Sequence, residues 1–282
     1  MIQSFINGLN EFQFLQYALI TAIVIGIVSG ILGSFIILRG MSLMGDAISH
    51  AVLPGVALSF IFGINYYYGA LVFGLLAGLL ITYIKNNSII KADTAIGITF
   101  SAFLALGVIL ISFARSSTDL FHILFGNILA VQKEDMMVTG LVTLIVVTLI
   151  ILFFKELLIS SFDPTMARAY GMKVEYYHYL LMILLTMVAV TGMQSVGTIL
   201  IVAMLITPAA TAYLYTNHLK TMIILSACLG ALSAGLGLMF AYYYNLAAGA
   251  CIVLTSASLF LLSFFMAPKQ NKYRKKVIDH EK

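Results

Sequence analysis

The sequence predicts an all-α polytopic membrane protein with about nine transmembrane helices. Of its 282 residues, 62% are hydrophobic and only 9% are charged, whereas soluble domains carry about 25% charged residues. Apolar runs long enough for a helix to cross a bilayer recur along the whole chain. The basic residues cluster in alternate loops between these runs, as expected for a multispanning protein. A soluble globular protein is therefore excluded.

Nine spans follow from the apolar runs, and eight result if two neighbouring spans form one broken helix. The predicted spans lie near 17–38, 45–63, 66–84, 94–113, 136–154, 177–192, 196–215, 221–243 and 246–266. Several carry stripes of small residues, which allow helices to pack closely in a membrane. We expect residues 1–282 to form a single transmembrane domain.

The distribution of positive charge predicts the orientation. With the N-terminus outside, only Arg115 and Lys133 remain on the outer side, so the positive-inside rule favours an N-out/C-in chain. The basic tail over 267–282 is explained as a cytoplasmic anchor, and no folded basic surface for nucleic acid is expected. The cytoplasmic loop cations are then Arg39, Lys85, Lys91, Lys155, Arg168, Lys173 and Lys220.

The second span contains the ionisable pair Asp46 and His50. Its uninterrupted apolar part is too short to cross a bilayer, so the helix must include both residues. Their spacing of four places both side chains on one face of a continuous helix. Ionisable groups at this depth usually face a pathway or a partner. The pair therefore predicts a metal-binding or transport site; a hydrogen bond that only holds helices together is the alternative.

Pro54 is a second unusual feature of this span. Proline has no amide proton, so the carbonyl of His50 loses its helical hydrogen bond. In the seventh span, Pro208 has the same effect on Met204, and the hydroxyl of Thr207 lies beside it. We interpret Pro54, Thr207 and Pro208 as pathway or helix-break positions, with a plain proline kink as the alternative.

The external stretch between the fourth and fifth spans has a short apolar part, over 120–131. It is too short to cross the membrane and too apolar for a free loop. A short re-entrant or interfacial helix is therefore predicted. His122 lies within it, and the sequence assigns this histidine no role.

The cytoplasmic loop over about 156–176 predicts a short helix. Asp163 is placed to cap it, Pro164 occupies its first position, and Gly171 follows its end. The helix would span 164–170 and carry Arg168. A short capped helix between two spans is what a permease presents to a cytoplasmic motor, and a surface helix without a partner is the alternative.

Motifs for covalent chemistry are missing from the sequence. It has no P-loop of the form G-x-x-x-x-G-K-[ST], so ATP would have to be hydrolysed by another polypeptide. It also lacks H-E-x-x-H and G-x-S-x-G. We therefore expect a transport subunit rather than an enzyme.

Three segments carry a resemblance to a known family. RGMSLMGDAISHAVLPGVAL, FDPTMARAYGM and SVGTILIVAMLITPAATAYL resemble the membrane permeases of bacterial ABC importers for manganese, zinc and iron, the ABC-3 type. The resemblance extends over essentially the whole chain and is closest to the streptococcal manganese type. Asp46 and His50 match the family's transport-site positions, and the helix that begins at Pro164 matches its coupling helix.

This resemblance implies a homodimeric permease in the bacterial cytoplasmic membrane. Its implied partners are cytoplasmic ATPase subunits and an extracellular metal-binding lipoprotein. The cargo would be a divalent metal, most simply Mn²⁺ with Zn²⁺ or iron as alternatives, and no cofactor would be permanently bound. An ion-coupled secondary carrier and an intramembrane metalloenzyme are rival hypotheses for the same Asp and His pair.

Overall fold

The computed structural model describes residues 2–114 and 126–267, which form helices joined by short connections without a strand in either range. One 3₁₀ turn, Ile128–Ala130, precedes the helix that begins at Lys133. The α-helices, numbered in chain order, are α1 (Ile2–Glu11), α2 (Gln13–Leu38), α3 (Met44–Ala51), α4 (Leu53–Phe62), α5 (Tyr66–Asn87), α6 (Ala92–Ala114), α7 (Lys133–Leu152), α8 (Phe154–Phe162), α9 (Pro164–Ala169), α10 (Val174–Val196), α11 (Thr198–Tyr215), α12 (Leu219–Tyr244) and α13 (Ala248–Met266).

The prediction of about nine spans in an all-α protein is confirmed. Within the described ranges, nine segments are long and apolar enough to cross a membrane, with α3 and α4 together counting as one. The sixth and seventh spans are separate helices. They meet at Gly197, whose φ of 87° lies in a region that residues with a side chain rarely adopt. The N-out/C-in orientation and the single domain over 1–282 stay predictions.

Helix α2 lies at the centre of the fold. In the most apolar 18-residue stretch of α2, 72% of the residues are buried, the same share as in α10. The corresponding shares are only 17% in α6 and 11% in α13. Small residues bring its neighbours close: a Cβ atom on Gly26 would meet the backbone of Gly230, and one on Gly30 would meet that of Ser226. Such contacts strengthen van der Waals packing, which holds helices together where water is absent. The outer helices leave apolar faces for lipid or protein partners.

The N-terminal helix α1 is an element that sequence reasoning missed. The predicted first span begins at residue 17, whereas α2 already begins at Gln13 and α1 precedes it. Phe5 of α1 is buried against Tyr242 of α12, with ring centroids 5.8 Å apart, while Ile6 remains half exposed. A helix this short cannot span a bilayer. Its apolar segment is therefore shorter than the length that identifies a transmembrane span in a sequence.

The described residues cover only the end of the predicted external helix over 120–131. There Asn127 is extended and its side chain accepts a hydrogen bond from the amide of Leu129, which starts the 3₁₀ turn. This part of the stretch is therefore a turn rather than α-helix. Residues 115–125, which include His122, and the tail from residue 268 lie outside the described residues.

Candidate functional site

Asp46 and His50 lie on one face of α3, as their spacing predicted. The Nε2 atom of His50 is 3.5 Å from Oδ1 of Asp46, and the side chains are 34% and 45% exposed, respectively. A good N–H···O hydrogen bond is 2.7–3.2 Å long, so the two groups do not saturate each other. Neither forms a further side-chain hydrogen bond to any residue in the described ranges. Their lone pairs are therefore accessible to a ligand.

One aromatic side chain packs against the imidazole. Phe100 of α6 contacts the His50 ring edge-on, with centroids 5.6 Å apart. At the start of α3, Gly45 lies close to Leu205, and a Cβ atom there would be 3.0 Å from its Cδ1 atom. Helices α6 and α11 thus both pack against α3.

The helical ladder breaks directly after His50. Helix α3 ends at Ala51 and α4 begins at Leu53, with Pro54 in its first turn. The amide of Val52 points to the carbonyls of both Ile48 and His50. Val52 keeps helical dihedral angles, φ −76° and ψ −16°, so the interruption affects hydrogen bonding rather than chain direction. The pathway role of Pro54 stays a prediction.

Pro208 does not end its helix. Helix α11 continues from Thr198 to Tyr215 with this proline inside it. The hydroxyl of Thr211 donates a hydrogen bond of 2.7 Å to the carbonyl of Thr207. Proline removes one amide donor, and a well-packed helix tolerates that loss when hydroxyls and neighbours compensate. The helix-break interpretation of Thr207 and Pro208 therefore does not apply to this conformation, and their pathway role is untested.

The predicted short helix forms in the loop after the fifth span. The carboxylate of Asp163 accepts a 2.8 Å hydrogen bond from the amide of Met166, and Pro164 opens α9. Gly171 has a φ of 77°. The helix ends at Ala169, one residue earlier than predicted. Arg168 forms a solvent-exposed ion pair of 3.1 Å with Glu175.

Arg39 forms a polar cluster that the sequence did not reveal. Its Nε donates to Ser161 at 2.9 Å, one terminal nitrogen donates to Ser160 at 3.0 Å, and the other lies 2.7 Å from Nδ1 of His178. Because a guanidinium can only donate, this Nδ1 must accept, which places any ring proton on Nε2. Burial lowers the pKa of Arg39 to about 10, so it remains charged at neutral pH.

The Arg39 cluster connects the two predicted functional segments. Arg39 follows α2 and precedes the linker to α3, which carries Asp46. Ser160 and Ser161 lie in the last turn of α8, which ends at Phe162, directly before the cap of α9 at Asp163. The only sequence signals were an arginine at the end of an apolar span and two adjacent serines. Neither feature of the sequence indicates that the arginine and the two serines contact each other in the fold.

A second polar cluster lies where α5 and α7 begin and α10 ends. The amide nitrogen of Gln194 is 3.2 Å from a carboxylate oxygen of Asp135 and 3.4 Å from the hydroxyl of Tyr66. Asp135 also accepts from the amide of Gln132 at 3.3 Å, which stabilises the start of α7. This second cluster therefore joins the starts of α5 and α7 to the end of α10, and no local sequence pattern predicted it.

The described residues contain no group of three or more His, Cys, Asp or Glu side chains placed to hold a metal. The Asp46 and His50 pair supplies one carboxylate and one imidazole. Both are first-row transition-metal ligands, but two side chains are too few to enclose an ion. One copy therefore supplies two candidate ligands, fewer than an enclosed metal site requires.

The chain is similar over nearly its whole length to known membrane proteins. The chain is 71% identical over 277 residues to "Manganese import system permease protein ScaB" of Streptococcus gordonii, covering 98% of this chain and 100% of that protein. It is 61% identical over 266 residues to "Manganese transport system membrane protein MntC" of Listeria monocytogenes, covering 94% and 95%.

A solved structure has the same fold. "PsaBC from Streptococcus pneumoniae in complex with Fab" matches with a TM-score of 0.87 and 69% identity, covering 98% of this chain and 100% of that one. The model of the "ABC 3 transport family" matches residues 11–267. The resemblance carried by the three sequence segments is thereby confirmed, and the chain belongs to the ABC 3 transport family.

Proposed function

We propose that this chain is the membrane permease subunit of an ATP-driven ABC importer that carries Mn²⁺ across the bacterial cytoplasmic membrane. The observation that carries the proposal is the Asp46 and His50 pair, half exposed on α3 and not saturated by its surroundings. The relatives named as manganese permeases support the same conclusion. The chain contributes no ATPase site, because its sequence has no P-loop.

The transport site is completed by a second copy of the chain. Two copies would supply two carboxylates, which neutralise a divalent ion, and two imidazoles. Water or the His50 carbonyls would fill the remaining positions. The partial exposure of both side chains is what an incomplete half-site requires. Delivery of the metal by an extracellular lipoprotein and ATP hydrolysis by two cytoplasmic subunits complete the proposed importer.

Manganese is the preferred cargo over zinc or iron. Carboxylate, imidazole and water suit Mn²⁺, but affinity for a given ligand set normally rises from manganese to zinc. This ligand pair alone therefore does not reject zinc. The proposal for manganese depends on the relatives, and selectivity would come from site geometry or from the delivery protein.

Helix α9 is the proposed contact with the ATPase subunit, through Asp163, Pro164, Arg168 and Gly171. Met166 of this helix and Tyr170, which follows its end, are 50% and 71% exposed, so a partner could cover both side chains. Movement of α9 would reach the linker before Asp46 through the Ser160, Ser161 and Arg39 contacts. The cytoplasmic location of α9 follows the predicted N-out/C-in orientation.

Cellular metal content tests the proposed function directly. A strain that lacks its own permease should regain manganese when it expresses this chain, as measured by elemental mass spectrometry alongside zinc and iron. Restoration should require the ATPase subunit and persist when the membrane potential is collapsed but ATP is maintained. Recovery of zinc or iron instead would identify the alternative cargo. Uptake that needs the membrane potential and no ATPase would contradict the ABC importer and favour a secondary carrier.

The Arg39 cluster gives a separate stability prediction. In Arg39→Lys the charge remains, but one ammonium cannot reach Ser160, Ser161 and His178 together. Loss of buried hydrogen bonds from a charged donor should lower the free energy of unfolding by about 2–3 kcal/mol. The matched control is Arg168→Lys, whose exposed ion pair should contribute less than about 1 kcal/mol. Thermal unfolding of the purified variants measures both, and equal shifts would contradict the importance of the cluster.

A further inference from the structure

Beyond the transport site, the structure contains a cationic cavity of about 300 Å³. It lies beside α9, where α2 and α5 end and α10 begins. Among the described residues, the cavity is lined by three Lys or Arg side chains and by one carboxylate. The lining includes Arg39, Lys85, Asn86, Arg168, Glu175 and His178.

The carboxylate in the wall does not neutralise the inner cations. Glu175 pairs with Arg168 at 3.1 Å. Among the described residues, no carboxylate lies within 4.0 Å of Arg39 or Lys85. The partners of Arg39 are neutral, and the ammonium of Lys85 contacts the sulfur of Met41 at 3.7 Å, a weak acceptor. Two partly buried cations therefore have no counter-ion among the residues 2–114 and 126–267.

Burial of unpaired charge is costly, and proteins normally offset it with an opposite charge. The lowered pKa of Arg39 has the same cause, burial of its guanidinium. Arg39 nevertheless remains cationic at neutral pH, and Lys85 lines the same cavity. An anion placed between them would remove the cost, and Arg39 still has N–H groups that its three bonds leave available.

We propose that this cavity binds the phosphate group of an anionic phospholipid. Its position favours a lipid over a soluble ion, because Leu38, Lys85 and Val174 lie where apolar spans end or begin. This is the level at which phospholipid phosphates lie, and basic pockets between transmembrane helices bind such headgroups. A bound lipid would hold α2, α5 and α10 together next to the Arg39 cluster.

Lipid titration of the purified full-length chain tests the proposal. Native mass spectrometry should detect phosphatidylglycerol bound to the wild type about fivefold more tightly than to Lys85→Gln, the contribution of one cation near a membrane surface. Lys155→Gln, a matched change at an exposed lysine that does not line the cavity, should bind like the wild type. Lys85→Arg keeps the charge and should also retain the lipid. Phosphatidylcholine, whose headgroup is zwitterionic, should bind equally weakly to all four proteins.

The unfolding temperature is an independent measurement, and a misfolded variant would not be more stable than the wild type in the absence of lipid. Without lipid, Lys85→Gln should unfold at a higher temperature than the wild type, since it removes an uncompensated cation. Saturating phosphatidylglycerol should reverse that order, because the wild type binds the anion more tightly and therefore gains more stability from it.

Three results would overturn the proposal. The first is phosphatidylglycerol binding that is equal in the wild type and in Lys85→Gln. The second is binding of inorganic phosphate at this lysine without any lipid effect, which would make the ligand a soluble anion. The third is stabilisation seen only with a bound ATPase subunit and no lipid, which would assign the cavity to a carboxylate of that partner.

Discussion

Asp46→Asn and His50→Ala should each reduce manganese accumulation by at least about tenfold, because even residues that only orient metal ligands cost 10–100-fold in affinity when removed. The first change removes the negative charge that balances the divalent ion. The second removes the nitrogen donor. Both side chains are partly exposed and make no other side-chain hydrogen bond within the described ranges, so the folded protein should be present at wild-type level. Elemental mass spectrometry of cells with matched membrane expression measures the loss.

Two exposed positions outside the candidate site provide controls of the same chemistry. Asp93→Asn in the first turn of α6 and His218→Ala before α12 change an exposed carboxylate and an exposed imidazole. Both variants should import manganese like the wild type. If the Asp46→Asn and His50→Ala variants also imported manganese normally, the pair would serve only to hold helices together and the proposed site would be wrong.

Among glycine-to-alanine changes in α2, Gly33→Ala should cause the largest loss of stability. A Cβ atom at Gly33 would overlap with the backbone carbonyl oxygen of Leu205 in α11, which cannot move as a flexible side chain would. Overpacking of this kind typically costs about 1–3 kcal/mol, and backbone overlap places the cost at or above the upper limit. We expect a lower unfolding temperature and reduced folded protein in the membrane.

Gly235→Ala in α12 is the matched control. Apart from the backbone of α12 itself, no described residue has an atom within 4 Å of where a Cβ atom would lie, and alanine is the better helix former by about 1 kcal/mol. Its unfolding temperature should therefore equal or exceed that of the wild type. Similar unfolding of both variants would mean that α2 and α11 are not in close contact.

The candidate site was accessible to sequence reasoning because its signals are local. Four residues separate Asp46 from His50, and helix geometry alone places them on one face. Asp163, Pro164 and Gly171 specify the start and end of α9 in the same way. Each of these predictions depends on residues within one or two turns of each other.

The sequence by itself determined the membrane class, the approximate spans, the shared helix face of Asp46 and His50, and the short capped helix. Composition and short-range periodicity are sufficient for these features, since the bilayer fixes span length and the helix fixes which neighbours share a face.

Only the tertiary structure decided which distant residues meet. Arg39 reaches Ser160, Ser161 and His178 across 121, 122 and 139 positions. The same is true of Gly33 with Leu205 and of the Lys85 cavity. Side-chain contacts between helices depend on how each helix is rotated and tilted in the packed bundle. That arrangement is a property of all the helices together, and no local pattern encodes it.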